Sequence, residues 1–178
     1  MRTALCTLLA ILTISLSVVG NTFTAAQRVR AGTAVAGALL STGIMGATAF
    51  SLPPERTSLT DRLWLVLPVA GVAAITGALA GWWVADAALD LRPSLSLSPL
   101  VGAGLGMLGA AFVGGISFAV ALAVAIPAID APSDYWGRDF TYLQSVEMGF
   151  LAGAFWGGIA GIPAGAVAVS IISIYMHF

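Results

Sequence analysis

The chain has 178 residues, of which 59% are hydrophobic and only 8% charged, and its net charge is −1. Soluble domains carry about 25% charged residues, and a globular fold of this size could not cover its surface with so few, so the composition specifies a protein integral to a membrane. The near-neutral balance gives no electrostatic footprint for nucleic acid, and the single cysteine, Cys6, excludes an internal disulfide.

Five apolar segments follow one another along the chain. The first covers residues 3–20, after only Met1 and Arg2. Thr24 and Ala26 are small residues spaced as for signal-peptide cleavage, but the apolar run is longer than the usual signal core of about 7–15 residues, so a retained helix is expected. The second segment, 32–52, stops at Pro53-Pro54, where missing amides and the restricted preceding residue end a helix. The third, 63–89, has Trp64 near one end and Trp82-Trp83 near the other, the spacing of two interfacial aromatic belts. The fourth, 100–129, is long for a single crossing and ends at Asp130-Ala131-Pro132. The fifth covers 148–175. Connectors of about 10–17 residues leave no space for a soluble domain and make successive helices antiparallel neighbours. The expected fold is all-α: one membrane domain over residues 1–178, a compact bundle of about five transmembrane helices. Continuous apolar runs of this length are helical, whereas barrel strands alternate and run about ten residues.

Glycine spacing gives the most specific signal. Gly149, Gly153, Gly157, Gly161 and Gly165 recur every four residues in the fifth segment, so one face of that helix has no side chains for about four turns. Gly102, Gly106 and Gly114, joined by Ala110, make a similar face on the fourth segment, and Gly77 and Gly81, between Ala73 and Ala85, make one on the third. In lipid, helices associate through close packing and weak hydrogen bonds rather than hydrophobicity, and small residues at this spacing serve that purpose. These ten glycines are therefore the expected helix-packing residues. The spacing does not say whether the partner backbone belongs to the same chain or to another.

Pro163 lies within the glycine-rich part of the fifth segment and is a hinge candidate, because proline removes a helical hydrogen bond and crowds the preceding turn. Charge inside a span would point to function, but Asp86 is the only ionisable residue arguably within one, at an expected headgroup level. His177 is the sole histidine and is penultimate. The connector after the fourth segment is the most polar and aromatic part of the chain. There Asp134 and Arg138 are four apart, and Tyr135, Trp136, Asp139 and Tyr142 join them as interfacial docking candidates on a short amphipathic helix.

No nucleophile–base pair, metal-ligand spacing or phosphate-binding loop stands out, so no catalytic residue, metal or cofactor is expected. The favoured function is a structural or accessory subunit of a larger membrane assembly. Its partners would be the lipid bilayer and other membrane subunits or further copies of itself. The alternative is a small channel or transporter, or a membrane-embedded binding subunit, for a neutral or weakly polar solute met by Ser41, Thr42, Thr48, Thr76 and Ser117. The multi-pass composition fits the cytoplasmic membrane of a prokaryote. The arginines divide almost evenly between the two sides and leave the orientation open.

Overall fold

A computed structural model describes residues 24–51, 59–129 and 142–177. These residues form four helices and no strand: α1 (Ala25–Ser51), α2 (Leu59–Leu91), α3 (Ser98–Ile129) and α4 (Tyr142–His177). At 1.5 Å per residue even α1, the shortest, is about 40 Å long, more than the ~30 Å of a bilayer core. All four contain windows apolar enough to cross a membrane. The expected first span, 3–20, lies outside the described residues, so the structure bears on four of the five anticipated helices.

Each helix starts before the apolar run that announces it. α1 begins seven residues ahead of the expected 32, because Thr24 and Gln27 close a capping box. The Gln27 amide donates to Thr24 Oγ1 (3.3 Å), and the Thr24 amide donates to Gln27 Oε1 (2.9 Å). Two amides that would be orphaned at the helix start are thereby satisfied. α4 likewise starts at Tyr142 rather than 148, and the Tyr142 hydroxyl donates to the Ala123 carbonyl on α3 (3.0 Å). α2 ends at a cap of unusual chemistry. Arg92 has φ 43°, a left-handed conformation usually taken by glycine, and its amide donates to the Ala88 carbonyl (3.1 Å) before Pro93 blocks continuation.

Packing is hierarchical. The most extensive interface is between α3 and α4, the next between α1 and α2, and α2 against α3 joins the two hairpins. Between the hairpins the apolar core has two parts. Val84, Ala85, Ala88 and Leu89 of α2 meet Val169 and Ile172 of α4 at one end. Met45 and Ala49 of α1, Val69 and Ala73 of α2 and Ala121 of α3 meet at the other. Large side chains such as Leu79, Leu108, Leu151 and Ile171 point outward, as lipid-facing residues do.

Candidate functional site

Within each hairpin, the contact is made by backbone. A methyl group built on Gly102 would land on the Gly165 carbonyl, one on Gly106 on the Gly161 carbonyl, and one on Gly114 on the Gly153 carbonyl; the Ala110 carbonyl stands in the same relation to Gly157. Each step of four along α3 is thus a step of four back along α4. Gly149, near the start of α4, meets the Leu122 side chain and the Phe118 carbonyl instead. The α1–α2 hairpin repeats the arrangement on a smaller scale: Gly77 lies against Gly37 and Ser41, and Gly81 against Thr33 and Ala34. Gly158 and Gly109, by contrast, have side chains at an ordinary 3.5 Å, and Gly104 has nothing within 4 Å.

The same register continues to an ion pair. Proceeding along α1 from Ser41 through Gly37 and Thr33 leads to Arg30, and the matching path along α2 through Gly77 and Gly81 leads to Asp86. Arg30 Nη2 and Asp86 Oδ1 are 2.5 Å apart, with side chains 29% and 43% exposed. Arg30 Nε is buried and has no hydrogen-bond partner among the described residues. α2 runs on to Leu91, so the pair is recessed by about a turn and a half from the helix end. Asp86 was legible as a charge near a span end; its partner was not, because Arg30 precedes the apolar run and only the antiparallel register brings the two together.

Further polar groups gather at this end of the bundle. Ser98 at the start of α3 lies 3.5 Å from Ser170 of α4, oxygen to oxygen. The His177 imidazole donates from Nδ1 to the Ser173 carbonyl (2.7 Å), since a carbonyl can only accept. His177, Ser173 and Met176 of α4 and Arg92 and Pro93 beyond α2 line a cavity of about 230 Å³, with Leu89 and Ile172 on its wall.

Of the hydroxyls considered for solute recognition, those of Ser41, Thr48 and Thr76 are turned to the backbone. Ser41 Oγ is 2.6 Å from both the Gly37 and Ala73 carbonyls, the second on the neighbouring helix. Thr48 donates to Ile44 and Thr76 to Val72 within their own helices. Ser117 Oγ is buried with no partner among the described residues. Pro163 lies inside α4, which continues through it, and is exposed on the side away from the α3 contact. Of the docking candidates, Tyr142 is placed by its bond to α3; Asp134, Tyr135, Trp136, Arg138 and Asp139 lie outside the described residues.

Four membrane-length helices, with their charges near helix ends, define a multi-pass integral membrane protein. No family model, curated protein or solved structure matches the chain.

Proposed function

We propose that the protein is a structural or accessory subunit of a larger membrane assembly, without chemistry of its own, and that the glycine faces serve to fold each hairpin tightly so that the outer surface is free for other chains. The observation that supports this reading is the outward position of Trp156 and Phe155. They stand 64% and 63% exposed near the middle of α4, their rings 5.5 Å apart in an edge-on pair. Tryptophan is enriched at membrane interfaces, where its N–H finds an acceptor. At mid-span there is no water to accept it, and a polar group or carbonyl of a neighbouring helix would. The assembly would lie in the cytoplasmic membrane of a prokaryote.

Mass analysis of the gently solubilised native complex tests the proposal. Other chains co-purifying in fixed ratio, and lost on Trp156→Leu while this chain stays folded, are the expected result. A lone chain or homo-oligomer that passes solute across sealed vesicles would overturn it in favour of a small channel or transporter.

A further inference from the structure

The cavity between the ends of α2 and α4 has a divided lining. Leu89, Ile172 and Met176 are apolar, while Arg92, Ser173 and His177 bring a guanidinium, a hydroxyl and an imidazole. Its depth in the membrane follows from the spans: the apolar stretch of α2 ends at Leu91 and that of α3 begins at Ser98, so Arg92 stands in the connector at the edge of the hydrocarbon. Long cationic side chains hold their charged heads at that level, among the lipid headgroups. The volume of about 230 Å³ is below the ~300–1,000 Å³ of pockets that enclose a whole drug-sized ligand, and it suits a headgroup whose acyl chains remain in the bilayer.

Two helix C-termini meet here, and their unsatisfied carbonyls favour a cation. That accounts for His177, whose Nδ1 caps the Ser173 carbonyl. It does not account for the Arg92 side chain. The cap at the end of α2 is made by the Arg92 amide on the Ala88 carbonyl, a task for which φ 43° would suit glycine better. No hydrogen bond or ion pair joins the Arg92 guanidinium to another described residue, whereas Arg30 is matched to Asp86. Asp90 is two residues away on the same strand of chain, a spacing that does not bring side chains together. Among the described residues at this end of the bundle, the arginines Arg28, Arg30 and Arg92 outnumber the carboxylates Asp86 and Asp90. A guanidinium presents a planar fork that matches two oxygens of a phosphate, and basic pockets between membrane helices at this depth recruit anionic lipid.

We propose that this cavity seats the phosphate of an anionic phospholipid headgroup, held by the Arg92 guanidinium, with Leu89, Ile172 and Met176 against its glycerol and upper acyl carbons. Native mass spectrometry of the full-length protein in detergent, supplied with phosphatidylglycerol or with phosphatidylcholine, counts the lipids retained. The variant is Arg92→Gly, because glycine adopts φ 43° freely and keeps the amide that caps α2, so it should melt no lower than the parent. Arg92→Gln, which keeps the native Cβ, repeats the test if glycine loosens the cap. Arg62→Gln removes the same charge near the start of α2, at the opposite end of the bundle, and serves as the control. The parent should retain one phosphatidylglycerol in several-fold excess over phosphatidylcholine; Arg92→Gly should lose that excess with its Tm intact, and Arg62→Gln should keep it. Equal retention of the two lipids by the parent, or an excess that survives both Arg92 variants, would overturn the proposal. Loss in Arg62→Gln as well would also overturn it, because net charge rather than this cavity would then hold the lipid. Inorganic phosphate that displaces phosphatidylglycerol at equal concentration would give the site to the free ion and overturn the lipid assignment.

Discussion

Gly106 and Gly104 share one turn of α3 and face opposite surroundings, so they separate packing from every other effect of replacing glycine. A Cβ on Gly106 would lie 2.5 Å from the Gly165 Cα and closer still to the Gly161 carbonyl. Both obstacles are backbone, so no rotamer change relieves them. Ordinary carbon–carbon separation is about 3.5–4.0 Å, which means α3 and α4 must part by roughly 1 Å, a gap that forfeits between a quarter and a half of each dispersion contact along the seam. Overpacking of this kind costs about 1–3 kcal/mol. For a chain of this length each kcal/mol moves the midpoint by about 2–4 °C, so Gly106→Ala should melt about 2–12 °C below Gly104→Ala, which shares its helix-propensity gain without the clash. Gly104→Ala meets nothing within 4 Å and gains up to about 1 kcal/mol in helix propensity, so it should not lower Tm. Circular dichroism melts of both variants in one detergent decide the matter. Equal Tm values for the two would refute the backbone-contact account of the α3–α4 seam.

Gly157→Leu puts a large side chain against the Ala110 carbonyl and should loosen or dissociate the bundle, whereas Val167→Leu, at a site 60% exposed, should be tolerated; detergent melts and size-exclusion profiles read both. Arg30→Met and Asp86→Asn should each destabilise by up to about 1 kcal/mol, the range for partly exposed pairs, and the exchanged pair Arg30→Asp with Asp86→Arg should recover part of the loss; singles that melt like the parent would leave the pair without energetic weight. Thr24→Ala removes the cap and should cost about 0.5–2 kcal/mol, seen as faster amide exchange in the first turn of α1 with the α3–α4 hairpin unchanged.

Much of the fold follows from local pattern. Apolar run lengths identify the crossings, and glycines at four-residue intervals identify the smooth faces, because both depend only on helix geometry. Register does not follow in the same way. Gly106 and Gly161 have no side chain to name a partner, so their pairing depends on loop lengths and on which antiparallel alignment lets every carbonyl meet a glycine. The Arg30–Asp86 pair follows from the corresponding alignment of α1 with α2 and from nothing nearer in sequence. The start of α1 could have been read, since Thr24-Ala25-Ala26-Gln27 is a capping-box pattern, but its small residues also fit a cleavage site and the polar Arg28 and Arg30 disguise the first helical turns. Ser41 and Thr76 show why polar residues in a span are ambiguous: the same hydroxyl that could meet a solute donates to a backbone carbonyl, on the neighbouring helix for Ser41 and on its own helix for Thr76.

The central structural claim is that the glycine faces of α3 and α4 meet within one chain, and the proximity of glycine α-carbons across the seam measures it most directly. Protein labelled with carbon-13 only at the glycine α-carbon, reconstituted in lipid bilayers and diluted into an excess of unlabelled chains, would be studied by solid-state NMR. The account predicts cross-peaks for Gly106–Gly165 and Gly114–Gly157 whose intensity per labelled chain is unchanged by dilution. Cross-peaks that fade in proportion to dilution would move the seam to a subunit interface, and their absence in the undiluted sample would contradict the close approach itself.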